Sequence, residues 1–215
     1  MTSTTESLRE LLLSRIRDVA DYPKPGVVFK DITPLLADPV AFTALTDALA
    51  ELCVRHGATK IVGLEARGFI LAAPVAVRAG IGFVPVRKAG KLPGATLSQT
   101  YELEYGSAEI EIHAEDLDAE DRVMVIDDVL ATGGTAEASL DLIRRAGAQV
   151  AGVAVLMELG FLEGRARLEP GLAGTPLGGP DHGLNSGPPS GDGHRVHQDG
   201  HPGTPGARPS LCRLP

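Results

Sequence analysis

Two adjacent carboxylates, Asp127 and Asp128, stand just before a Thr-Gly-Gly-Thr run in the segment VMVIDDVLATGGT, residues 123–135. Val123 to Ile126 is a continuous apolar run, as expected of a strand buried on both faces. That strand delivers the acidic pair to its carboxyl end. A short loop follows, and a helix is expected from Gly134. Backbone amides of Thr132, Gly133, Gly134 and Thr135 would converge at the helix N-terminus, where they and the helix dipole favour an anion. The glycines admit close approach and the threonine hydroxyls add donors. The carboxylates suit a different role beside it. They can accept hydrogen bonds from a diol, help to hold Mg²⁺ through water, or stabilise positive charge. A phosphate pocket beside a diol-and-cation pocket describes a sugar phosphate. Taken singly, an acidic strand end and a Thr-Gly-Gly turn are ordinary; their order here, between a buried strand and a helix, is not. Neither G-x-x-x-x-G-K-[ST] nor G-x-G-x-x-G occurs, which weakens P-loop and dinucleotide readings.

The elements that must position these residues alternate along the chain. Residues 6–19 read as an amphipathic helix, with Leu8, Leu11, Leu12, Leu13 and Ile16 on one side. DYPKPGVVFKDITPLL breaks it with Pro23, Pro25, Gly26 and Pro34 and reads as an ordered loop, because Val27, Val28 and Phe29 lie within it. A helix is expected over 38–55, a strand over 60–64, a helix over 67–78, a strand over 83–86, a helix over 134–146 and a strand over 150–157. Such βαβα alternation implies an α/β fold with a mainly parallel central sheet flanked by helices. Ligands in such sheets bind beyond the carboxyl ends of the strands. Residues 88–113 begin with Gly, Pro and Thr and continue with period-two alternation, which reads as a mobile loop leading into antiparallel strands. A long loop inside a compact domain is more often functional than idle.

Composition narrows the function classes. The chain has 215 residues, 43% of them hydrophobic, enough for one domain with a sizeable core. Its formal charge of −8 argues against a general nucleic-acid or membrane-surface binder, which would need a basic face. Two separated cysteines, Cys53 and Cys212, make neither a disulfide framework nor a zinc site, and point to a reducing cytoplasm. The first residues carry charge throughout and lack the apolar core of a signal peptide, and no run is long enough to span a bilayer.

From Gly171 the sequence changes character. Residues 171–215 hold 11 of the 26 glycines, 8 of the 16 prolines and 4 of the 6 histidines, so this tail has too little periodic apolar surface to fold. His182, His194, His197 and His201 lack a scaffold that would hold a metal. The tail reads either as a disordered extension or as a frameshift product. Removing one G from the Gly178 codon lets PLGGPDHGL be read as PLEALITV and a stop, which would supply a closing strand. The domain proper is then residues 1–170.

The ordered series YPKPGVVFKDITPLL, GLEARGF, VPVRKAGKLPG, YELEYG and VIDDVLATGGT, spread over about residues 8–170, resembles the type I phosphoribosyltransferases, and among them the adenine-specific branch. The resemblance implies that family's α/β fold, with a small hood contributed by the N-terminal segment and a mobile loop. Ala131 to Thr135 would hold the 5′-phosphate of phosphoribosyl diphosphate (PRPP), and Asp127 and Asp128 would face the ribose hydroxyls and a Mg²⁺ shell without ligating the metal directly. Glu65, Ala66 and Arg67 would form the pyrophosphate loop, which in the family can carry a non-proline cis peptide. Alone, Arg67 reads as a surface residue opening a helix. Arg87, Lys88 and Lys91 would neutralise the leaving diphosphate. The family's counterpart of Arg87 reaches the neighbouring subunit's site, which implies a homodimer. Glu104 would be the acid/base for the purine, with Tyr105 closing over PRPP; alternation alone makes Glu104 a solvent-facing strand residue. Val28, Phe29 and Lys30 would line the adenine pocket, Val28 reading the purine edge through its backbone and Phe29 stacking; the plain alternative for Val28 and Phe29 is core packing.

The implied reaction is adenine plus PRPP giving AMP and pyrophosphate with Mg²⁺, through an oxocarbenium-like transition state and inversion at the anomeric carbon. Two rivals keep the fold: a PRPP-sensing regulator, which would need a DNA-binding face, and an enzyme for xanthine or hypoxanthine. The loop from Val27 to Lys30 favours adenine.

Overall fold

The computed structural model describes residues 4–102 and 106–172, together with the backbone of 177–178 and 184–185. Helix α1 (Thr4–Leu13) is followed by an antiparallel pair, β1 (Arg17–Ala20) and β2 (Val28–Asp31). The helix expected to reach residue 19 therefore stops at Leu13. Beyond it, Arg17 and Asp18 face Asp31 and Lys30 across the strands, with ion pairs of 2.6 and 2.7 Å. Cross-strand pairing of opposite charges, unavailable to an isolated helix, stabilises the extended form there. This two-stranded sheet is separate from the main sheet and lies in the N-terminal segment expected to form a hood.

Helices α2 (Thr33–Ala37) and α3 (Pro39–Arg55) follow. Asp38 caps α3 by accepting from the N–H groups of Val40 and Ala41, and Pro39 occupies the first helical position, where a missing N–H costs nothing. Then come β3 (Lys60–Leu64), α4 (Arg67–Ala79), β4 (Gly82–Lys88), β5 (Thr96–Glu102), β6 (Ser107–His113), β7 (Arg122–Leu130), α5 (Gly134–Arg145), β8 (Gln149–Glu158) and α6 (Gly164–Leu168). The short strands β9 (Leu177–Gly178) and β10 (Leu184–Asn185) both pair with β8.

The main sheet has the order β10-β8-β7-β3-β4-β6-β5, with β9 also on β8. All pairs among β3, β4, β7, β8, β9 and β10 are parallel, and the β4–β6 and β5–β6 pairs are antiparallel. The expected antiparallel strands are thus present, and β5 takes up much of the stretch expected to be loop. The central strands are apolar on both faces because each face has its own core. Ile61, Met124, Ile126, Ala154 and Leu156 pack with α1, α3 and α4, whereas Val62, Leu64, Val123, Val125, Val153 and Val155 pack with α5, α6 and the β5–β6 side. Period-two alternation along each strand divides its residues between these cores. The second core runs to Leu172, two residues beyond the expected domain end, and Leu172 is buried in it. Among the described residues no helix is long and apolar enough to cross a membrane.

Candidate active site

The carboxyl ends of β3, β7 and β8 open beneath the hood. A cavity of about 450 Å³ there is bounded by Val28, Phe29 and Lys30 of β2, Glu65 to Arg67 after β3, and Asp127 and Asp128 of β7. A smaller cavity of about 90 Å³ is formed by the loop Ala131 to Thr135 at the start of α5. The two share Asp127, Val129 and Ala131, so they are contiguous at the acidic strand end.

Asp128 is 4% exposed, and the Arg67 guanidinium donates to its carboxylate through Nε. Asp127 accepts the Asp128 N–H at 2.9 Å and lines both cavities. Burial, and then the charge of Asp128, push the Asp127 carboxyl well above the usual carboxylate range. The two carboxyls therefore compete for charge, and the Arg67 guanidinium, bonded to Asp128, only partly relieves Asp127. Arg67 also lies over the Phe29 ring, 5.3 Å from its centroid, and Tyr22 meets that ring edge-on. Arg67 thus ties the acidic pair to the aromatic wall of the larger cavity. Lys30 lines this cavity while its ammonium is paired with Asp18.

The loop from Ala131 to Thr135 is shaped by backbone geometry. Gly133 has φ +81°, a conformation that costs a Cβ-bearing residue energy, and it caps α5. Behind the loop, a Cβ on Gly164 would overlap the Ala131 carbonyl oxygen. The Thr135 hydroxyl donates to the Tyr101 hydroxyl at 3.0 Å, which joins the end of β5 to the first turn of α5. Gly164 and Tyr101 were not apparent as site residues in the sequence; both come from distant segments, and only packing brings them against the loop. Val27, Val129 and Leu159 likewise complete the larger cavity, and Leu159 could have been found from its place just beyond β8.

The Glu65–Ala66 peptide is cis. Glu65 accepts the Lys88 N–H at 2.9 Å and faces Arg87 Nε at 3.2 Å, and these contacts hold its carboxyl below the ordinary range, the Lys88 bond foremost. Arg87 also donates to the Lys91 carbonyl at 3.3 Å. Arg87, Lys88 and Lys91 line neither cavity; within one chain Arg87 is turned to Glu65, while Lys88 and Lys91 are exposed. Glu104 and Tyr105 lie outside the described residues.

A parallel α/β sheet with an anion loop and acidic pair at its carboxyl edge defines a sugar-phosphate-binding class. The sequence family described as phosphoribosyl transferase domain matches residues 29–170. The adenine phosphoribosyltransferase of Streptomyces avermitilis is 85% identical over 171 residues, 80% of this chain and 94% of that protein. Among solved structures, adenine phosphoribosyltransferase from Rhodothermus marinus is 48% identical with a TM-score of 0.73, covering 80% of this chain and 96% of that one. The Saccharomyces cerevisiae enzyme, solved with an imino-altritol bisphosphate and adenine, is 37% identical with a TM-score of 0.75, covering 81% and 98%. The chain belongs to the phosphoribosyltransferase family, in its adenine phosphoribosyltransferase branch.

The acidic pair and the loop wall can each be probed by substitution. A carboxyl whose folded-state pKa is raised costs stability at pH values above its titration, and that cost fades as pH falls toward its unfolded value. Asp127→Asn should therefore raise the melting temperature at neutral pH, and the gain should shrink on acidification; a lower melting temperature at neutral pH would contradict this account of the pair. Gly164→Ala should displace Ala131, and overpacking of about 1–3 kcal/mol should weaken ribose 5-phosphate binding roughly tenfold in calorimetry. Unchanged affinity would show that the loop does not depend on this wall.

Proposed function

We propose that this protein transfers the 5-phosphoribosyl group of PRPP to adenine, releasing AMP and pyrophosphate, in the cytoplasm and as a homodimer. The observation that carries the reading is the pair of cavities meeting at Asp127. The smaller one suits a 5′-phosphate on loop amides and the α5 dipole. The larger one offers the Val28 and Phe29 wall to a flat heterocycle. A ribose joining the two would lie against the carboxylates.

The residues fit a divalent cation carried mainly by substrate and water. Asp127 and Asp128 present hard oxygen donors side by side, and among the described residues no three ligand-type side chains converge on one point. Mg²⁺ would neutralise the diphosphate there. Asp127 and Asp128 would accept the ribose hydroxyls and stabilise positive charge developing at the anomeric carbon. Arg67, with Glu65 and Ala66, would orient the diphosphate at the end of β3. Arg87, Lys88 and Lys91 would supply further positive charge, Arg87 to the partner subunit's site. Adenine N9 would attack the face opposite the leaving group and invert the centre. Glu104 would exchange a proton with the purine, Tyr105 would cover PRPP, and Lys30 would border the base. Positioning and exclusion of water supply most of the rate.

The deciding experiment is steady-state AMP formation with each purine, PRPP and Mg²⁺. Adenine alone should support rapid turnover, EDTA should abolish it, and a chain ending at Leu172 should match the full chain if the site needs nothing from the tail. No AMP from adenine overturns the assignment. Glu104→Ala should lower kcat far more than it raises the KM for PRPP; equal losses would remove Glu104 from acid/base work.

A further inference from the structure

We infer that Glu111 is a positioning residue that holds the basic segment 87–92 in place for PRPP. Period two puts Glu111 on the same side of β6 as Glu109, yet Glu109 is exposed and Glu111 is 5% exposed. Its Oε1 accepts the backbone N–H groups of Lys91 and Leu92, both at 2.8 Å, and its Oε2 accepts the Thr96 hydroxyl at 3.5 Å. Among the described residues no cation pairs with it. A buried carboxylate is costly unless its oxygens are satisfied, and here backbone amides of one loop satisfy them. Burial raises the Glu111 carboxyl, and the hydrogen bonds from Leu92, Gly90, Lys91 and Thr96 together outweigh it, so it stays ionised below the ordinary range.

The loop has a second anchor. Glu65 takes the Lys88 N–H and faces Arg87, and Arg87 donates to the Lys91 carbonyl. Segment 87–92 is therefore held at one end by a carboxylate bordering the active-site cavity and at the other by a buried carboxylate outside it. Glu111 lines neither cavity, so it acts through the loop and does not touch substrate. Releasing it leaves Lys91 tied through its carbonyl to Arg87 while Glu65 still holds the other end, and the positive charge proposed to neutralise the diphosphate becomes diffuse.

The inference rests on the proposed use of PRPP, and its test includes a readout independent of activity. Glu111→Leu removes both acceptors, Glu111→Asp withdraws the carboxylate by one methylene, and Glu111→Gln keeps an oxygen that can take both N–H bonds. Loss of charge-assisted bonds should raise the KM for PRPP about tenfold or more in the Leu and Asp variants, with the KM for adenine within about twofold. Trypsin cleavage after Lys88 and Lys91 of the folded chain should accelerate about tenfold in the same variants, and Glu111→Gln should stay within about threefold of the parent in both readouts. If Glu111→Leu fails to fold, Glu111→Asp decides. Unchanged cleavage and PRPP KM, or equal losses for PRPP and adenine, overturn the inference. Absence of AMP formation by the parent protein would instead remove the proposed function, and the cleavage rates would still show whether Glu111 holds the loop.

Discussion

The arrangement depends on two carboxylates held at the end of a strand that is otherwise almost entirely apolar. Desolvation penalises charge on Asp127, and the neighbouring Asp128 raises that cost further. One guanidinium, from Arg67, offsets part of this, and that guanidinium is placed by the turn from β3 into α4 and by the Phe29 ring of the hood. The hood, the β3 turn and the β7 end are thus coupled through a single side chain. Two carboxyls that resist ionising together, beside a loop of backbone amides at a helix N-terminus, suit a ligand that brings phosphate, hydroxyls and a cation together.

The loop from Ala131 to Thr135 depends on close backbone approach. α5 begins with Gly133 in a left-handed conformation, and the chain at Gly164 lies against the Ala131 carbonyl with no room for a methyl group. The segment after β8 therefore acts as the back wall of a loop that precedes α5 and lies far earlier in sequence. Tyr101 closes another side from the β5–β6 hairpin. Three separate stretches meet at one helix N-terminus, and this rigid enclosure lets backbone amides act as fixed dipoles.

The tail shows how sheet edges recruit chain. β8 is apolar along almost its whole length, and residues 177–178 and 184–185 pair with it in short parallel runs. An unpaired edge with free N–H and C=O groups favours any extended segment that can reach it.

Much of the centre was legible in the sequence. The strand at 60–64, the helix from Arg67, the strand from Val123 and the helix from Gly134 were each specified by local apolar period and glycine stops, which depend on neighbours in sequence. The anion loop and acidic pair were legible for the same reason, since strand, carboxylates, glycines and helix are contiguous. The choice of adenine came from resemblance over Val28 to Lys30 and Glu104, not from any local rule. Tertiary structure alone decided that Arg17–Ala20 is a strand, because its partner lies across a turn. It decided that Gly164 and Tyr101 pack against the loop from Ala131 to Thr135 and that Glu111, on the exposed side by alternation, is buried beneath the Lys91 loop. Those facts rest on contacts between segments far apart in the chain, and a one-dimensional pattern carries no record of which distant backbone comes within hydrogen-bonding reach.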